Sequence, residues 1–180
     1  MCFSFTAEAL SRNVALSNGG SHGIVEAFKA SVATCPLGPA IDLIGEKWAI
    51  MILRGSLSGL RHFEEFQAGL GIARNILSNR LARLVAGGLL ERKPDGADRR
   101  RVVYSLTEKG SDLLPTLVAM RQWAEAWGLG SSPIILADKQ SGKPLQRITL
   151  QAHDGRAVTA DDLVWIDTTN GSKLAGKSAA

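Results

Sequence analysis

Residues 71–101 read GIARNILSNRLARLVAGGLLERKPDGADRRR, and no other stretch constrains the fold as tightly. At about 100° per residue, Ala73, Ile76, Leu77, Leu81, Leu84 and Val85 fall on one side of a helix. Asn75, Ser78, Asn79, Ala82 and Arg83 fall opposite, so one side must pack and the other presents amides, a hydroxyl and a guanidinium. Gly87-Gly88 stops the helix by supplying backbone that tolerates positive φ. Leu89-Leu90-Glu91-Arg92-Lys93 and Val102-Val103-Tyr104-Ser105-Leu106 then have strand character, with Pro94-Asp95-Gly96 as turn chemistry between them. Arg99, Arg100 and Arg101 lie on or near the return limb of that turn.

Three adjacent arginines repel one another unless an anion offsets them, and a phosphate backbone is the commonest such anion. A polar helix followed by a basic hairpin is the order of parts of a winged helix-turn-helix, in which the helix enters a DNA groove and the hairpin meets the flanking phosphates. Asn suits adenine edges and Arg suits guanine edges in a major groove. The expected DNA contacts are therefore Arg74, Asn75, Ser78, Asn79, Arg80 and Arg83 from the helix and Arg99, Arg100 and Arg101 from the wing. A merely solvated polar face is the competing reading for the helix alone; the arginines beside it favour DNA. Charge is distributed accordingly. Residues 54–110 hold eleven basic and six acidic side chains, a net +5, whereas the whole chain is +4. The basic excess sits where nucleic acid would lie.

Upstream, Leu60, Phe63 and Phe66 recur at spacing three, the core stripe expected of a short first helix, with Gly69 and Gly71 flanking the turn into the reading helix. Residues 40–53 read as one almost continuous apolar helix. Its surface exceeds what a small domain needs, so Ile41, Ile44, Trp48 and Ile52 are expected at a subunit interface, although for Trp48 core packing is the stronger reading. A long helix is expected from Glu108 to about Trp127. Its stripe includes Leu117, Trp123 and Trp127; the two tryptophans, four apart, share a face, which packs into the core of a monomer or, as large aromatics suit, lies at a subunit interface, the favoured reading.

Several motifs now stand in order: Cys35-Pro36-Leu37, Asp42-Leu43-Ile44-Gly45-Glu46-Lys47-Trp48, Ile52-Leu53-Arg54 and Arg61-His62-Phe63-Glu64-Glu65-Phe66. They are followed by Ile76-Leu77-Ser78-Asn79-Arg80-Leu81, Gly88-Leu89-Leu90-Glu91-Arg92 and Tyr104-Ser105-Leu106-Thr107-Glu108-Lys109-Gly110. Over roughly residues 35–128 the chain resembles the HxlR-type transcriptional regulators. The resemblance implies a homodimeric winged helix-turn-helix protein that binds operator DNA. It also implies that Cys35 stands where related regulators keep a thiol reactive towards oxidants, quinones or aldehydes, making it the candidate sensor; an inert, partly buried thiol is the competing reading. The wing departs from the family's Pro-rich tip, and its Asp-Arg-Arg element is closer to MarR-type regulators.

The expected fold is α+β, mainly α: a winged helix-turn-helix core with a C-terminal β-hairpin extension. Residues 1–34 form an N-terminal arm and linker, flexible by composition at Ser17-Asn18-Gly19-Gly20-Ser21-His22-Gly23, with a short helix within 24–34. Residues 35–130 form the DNA-binding and dimerisation domain. Residues 131–167 form a small β extension with strands at Ile134-Ile135-Leu136, 145–150 and Leu163-Val164-Trp165-Ile166, and residues 168–180 a disordered tail.

Other classes find little support. No apolar run approaches the ~20 residues of a membrane span, no secretory signal is visible, and Cys2 and Cys35 are too few for a disulfide framework, so a cytoplasmic location is expected. His22, His62 and His153 share no ligand spacing, and no nucleophile, phosphate loop or acid pair suggests catalysis; neither metal nor cofactor is expected. Asp161-Asp162 reads as a turn or helix start. The expected partners are a near-palindromic double-stranded operator and a second copy of the chain, with an oxidant or small molecule as effector and repression as the favoured outcome. The alternative is a winged-helix module that binds protein or RNA without reading DNA.

Overall fold

The computed structural model describes residues 28, 29, 31–166, 173 and 174. Cys2, the 17–23 linker with His22, and most of the expected tail lie outside the described residues. The chain forms two compact units, one of Pro36–Ile148 and one grouping Met1–Cys35 with Thr149–Ala180.

In the first unit, α1 (Leu37–Ile44) and α2 (Lys47–Leu57) replace the single helix expected over 40–53. The chain breaks because Glu46 is extended (φ −94°, ψ 140°) and the Gly45 N–H closes back onto the Ile41 carbonyl at 2.6 Å. A Cβ on Gly45 would crowd that carbonyl. α3 (Phe63–Leu70) starts after Leu60, so Leu60 packs from outside the helix and Gly69 lies within it. Gly71 (φ 60°) makes the left-handed turn alone, a conformation that glycine adopts without strain. α4 (Arg74–Ala86) follows, then β1 (Leu90–Pro94) and β2 (Val102–Leu106), antiparallel with Leu90 opposite Leu106 and Pro94 opposite Val102. The residues before α3 add a third edge: His62 bridges Val103, and the Tyr104 N–H donates to the Arg61 carbonyl at 2.8 Å.

The core consists of Ala49, Ile52 and Leu53 of α2, Phe66, Ile72, Leu77, Leu81, Leu84, Leu89 and Leu90. Each fully buried Leu, Ile or Phe contributes about 1.5–3 kcal/mol, so α4 is fixed chiefly by Leu77, Leu81 and Leu84. Ala73 and Ile76, expected on that packed side, are exposed. The apolar stripe is narrower than the sequence suggests because α4 touches the core along one edge only.

The helix expected from Glu108 to Trp127 is also broken, into α5 (Glu108–Ser111) and α6 (Leu114–Ala126). Pro115 explains the break: it has no N–H to offer the carbonyl four residues back, and it is tolerated in the first turn of a new helix. Beyond α6, residues 131–148 stay in this unit. Ile134-Ile135-Leu136 and 145–149 are not strands; an isolated bridge pairs Ala137 with Pro144 around a turn held by Asp138. Gln122 of α6 takes the place of a neighbouring strand, donating to the Gln146 carbonyl at 3.0 Å and accepting from the Ile148 N–H at 2.8 Å.

In the second unit, residues 28, 29 and 31–33 are helical. β3 (Leu150–Gln151) pairs with β4 (Ala157–Val158), and a single 3-10 turn (Ala160–Asp162) is capped reciprocally by Thr159 and Asp162. Asp161-Asp162 is thus a helix start. β5 (Trp165–Ile166) pairs with β6 (Lys173–Leu174), so the tail expected to be disordered contributes a strand.

Candidate nucleic-acid interface

α3, the Gly71 turn and α4 form the helix-turn-helix. Glu65 fixes its start: its Oε2 accepts the backbone N–H groups of Arg61 at 2.7 Å and His62 at 2.9 Å. Those two bonds hold the Glu65 carboxyl below the usual carboxylate range, Arg61 contributing more. At the other end of α4, Gly88 (φ 71°) turns the chain into β1. The Lys109 Nζ donates to the Gly87 carbonyl at 2.8 Å and the Thr107 hydroxyl to the Gly88 carbonyl at 2.6 Å, so carbonyls at the helix end are satisfied from the segment after the wing.

Asn75, Ser78 and Asn79 are exposed on α4, opposite Leu77, Leu81 and Leu84. The Asn79 Oδ1 lies 3.5 Å from the Arg80 Nη1, too far for a strong hydrogen bond, so its amide remains available. Arg74 is preorganised, its guanidinium lying 5.0 Å from the centre of the Phe63 ring.

Arg99, Arg100 and Arg101 are all exposed in the loop between β1 and β2. The loop closes through the Asp95 N–H to the Arg101 carbonyl (3.0 Å) and the Arg101 N–H to the Asp98 carbonyl (2.8 Å). Asp98 also accepts the Arg100 N–H at 3.0 Å and pairs with the Arg100 Nε at 3.3 Å, a solvent-exposed pair because the Arg100 side chain is 92% exposed, so the backbone is fixed while Arg99 and Arg101 keep the tip basic. His62, expected to be isolated, anchors this wing. Its Nδ1 lies 3.1 Å from the Val102 carbonyl and its Nε2 3.5 Å from the Asp95 carboxylate.

An open cleft of about 480 Å³ joins the two parts. Phe63 and Glu64 of α3, Arg74 of α4, and Arg100, Arg101 and Tyr104 of the wing line it. Three arginines from two elements thus converge on one concavity, the arrangement that a phosphate-bearing strand needs.

Arg80 and Arg83, expected to face DNA, are engaged within the protein. Both pair with Glu46, Arg83 at 3.0 Å, and the Arg83 Nη2 donates to the Asp42 carbonyl at 3.1 Å. Sequence reasoning missed Glu46 because its partners lie more than thirty residues away; the local signal was a helix N-cap occupied by a residue that does not cap.

Of the expected interface residues, Ile41, Trp123 and Trp127 are exposed. Ile44, Trp48 and Leu117 are half-buried against the core. Ile52 has no exposed surface at all and therefore belongs to the core rather than to an interface. Packing from α4 covers the side of α2 that looked free in sequence. Cys35 is half-buried and carries a free thiol, and its N–H donates to the Val32 carbonyl. Among the described residues no group of His, Cys, Asp and Glu could hold a metal ion, and no helix is long and apolar enough to cross a membrane.

A family model described as HxlR-like helix-turn-helix matches residues 43–131. An HTH-type transcriptional regulator of Mycobacterium tuberculosis (strain ATCC 25618 / H37Rv) is 36% identical over 126 residues, 69% of this chain and 80% of that relative. The Bacillus subtilis (strain 168) HTH-type transcriptional regulator YvaP is 34% identical over 95 residues, 52% of this chain and 88% of its own. In structure, the chain is similar to the candidate transcription factor PA1607, with a TM-score of 0.69 and 38% identity, covering 75% of this chain and 96% of that one.

Proposed function

This chain belongs to the HxlR-like helix-turn-helix family of transcriptional regulators, and on that premise we propose that it binds a near-palindromic operator as a homodimer and represses the adjoining gene. The observation that carries the reading is the shared cleft. Arg74 at the start of α4 and Arg100 and Arg101 of the wing line one concavity, while Asn75, Ser78 and Asn79 project from the next turns of the same helix. Phosphate contacts from the arginines would set the register, and the amides would read base edges in the major groove. Arg99 extends the same basic wing. Two such helices related by a dimer axis would lie about one DNA turn apart, roughly 34 Å, which is why a palindrome is proposed.

Salt titration on a random-sequence duplex, followed by selection from a randomised pool, tests this. Binding should weaken steeply with salt, and a symmetric consensus should emerge. Asn79→Ala should then cost about 1–3 kcal/mol on that consensus and leave random DNA unaffected. Absent or salt-insensitive binding would favour the protein- or RNA-binding alternative.

A thiol at Cys35, one residue before the N-cap of α1, supports an electrophile-responsive regulator. A bulky or charged adduct there would disturb the start of α1, and a small rotation between subunits would put the paired helices out of step with the DNA turn.

A further inference from the structure

We propose that Glu46 is a specificity-determining positioning residue, which holds the Arg83 guanidinium off the DNA so that the amides of α4 dominate readout. The inference rests on the DNA-binding reading above. Glu46 occupies the N-cap of α2 without capping it: its side chain accepts no N–H of its own helix. Both of its oxygens are committed to α4, Oε1 to Arg83 and Oε2 to Arg80. Arg83 is gripped at two points, since its second nitrogen donates to the Asp42 carbonyl in the last turn of α1. That carbonyl has no helical partner, so the guanidinium satisfies it while lying at the favourable end of the α1 dipole.

The two arginines play different parts. Arg80 is the anchor: its side chain is 22% exposed, and its Nε is buried without a partner among the described residues. The planar fork is held there through Nη2 on the Glu46 carboxylate, at the expense of the Nε donor. Arg83 is the one able to move. Its side chain is 50% exposed, and it stands four residues after Asn79, hence on the same flank of the helix. Freed from Glu46, it would reach the phosphates that flank a groove-bound α4. A cation there would strengthen binding to every sequence alike, because phosphate contacts carry no sequence information. Restraining it costs affinity and preserves discrimination.

The test uses the full chain, a random-sequence duplex three turns long, and the sequence enriched from a randomised pool. Glu46→Gln removes the charge and keeps the shape. It should tighten random-duplex binding severalfold and steepen the dependence of log affinity on log salt by about one unit, while the ratio of enriched to random affinity falls. Adding Arg83→Gln to Glu46→Gln should restore the original slope; a gain that persisted would be general electrostatics and would overturn the proposal. Arg83→Gln alone, at a half-exposed position, should leave the slope unchanged. A slope lowered by one unit in that variant would mean that Arg83 already touches phosphate, and would overturn the proposal even if Glu46→Gln failed to fold. An unaltered slope in folded Glu46→Gln overturns it too. If the unsubstituted protein shows no salt-dependent binding to either duplex, the DNA reading itself fails and this role falls with it.

Discussion

Glu65 shows how one side chain sets the start of the helix-turn-helix. Its carboxylate accepts two backbone N–H groups, those of Arg61 and His62, where α3 would otherwise leave them bare. The bonds favour the ionised form, so the folded protein holds this carboxyl below its ordinary value near 4.5. A depressed folded value contributes stability that is fully present above the unfolded value and is lost as pH falls through the folded one. Glu65→Gln should therefore be less stable than the parent at neutral pH, and the gap should close on acidification below about pH 4.5. Denaturant unfolding across pH 3–7 measures it, and a pH-independent gap would show that the charge plays no part. Gly110 constrains the neighbouring segment differently. It is buried against the Leu89 backbone, where a Cβ would collide with the carbonyl.

The wing is the element on which the electrostatics turn. β1 and β2 are short, and their register is set by local alternation together with the loop bonds of Asp95 and Asp98. His62, the N-cap of α3, ties the loop end of the two strands at Asp95 and Val102 to that helix, so the wing and the helix-turn-helix are braced against each other while the tip stays charged. Replacing Arg99, Arg100 and Arg101 together by Ala should lower the salt slope by about one unit for each lost phosphate contact, equally on all sequences. An unchanged slope in this variant, measured by fluorescence anisotropy, would place the phosphate contacts elsewhere. α4 itself should keep its fold in that variant, because Leu77, Leu81 and Leu84 pack away from the wing tip.

For the whole molecule, the relevant surface is apolar. Leu37 and Ile41 on α1, Met120 and Trp123 on α6 and its C-cap Trp127 are exposed within one unit. Large aromatics and Met are the residues most enriched at interfaces. Sedimentation at micromolar concentration should report a dimer, and Trp123→Glu with Trp127→Glu should shift it to monomer and abolish tight binding to a palindrome. A monomer that bound the palindrome as tightly as the parent would refute the assembly. The same preparation tests Cys35: a quinone or peroxide should change operator affinity in the parent and not in Cys35→Ser. Identical responses would move the sensor elsewhere.

The sequence by itself determined the order of parts. The period of Leu77, Leu81 and Leu84, the Gly88 stop, the turn between β1 and β2 and the three exposed arginines are local properties, because helix period, positive φ and turn chemistry act within a few residues. Family membership was legible for the same reason, through motifs spaced in order along the chain. The tertiary structure alone decided which polar and apolar groups are free. Arg80 and Arg83 read in sequence as free cations, and only the fold pairs both with Glu46, thirty-seven residues away in the case of Arg83. Ile52 looks like an interface residue until α4 covers it, and Gln122 holds a segment some twenty-five residues further on that sequence pattern assigned to strands. Pairing and burial depend on what meets in space, and periodicity carries no information about the partner.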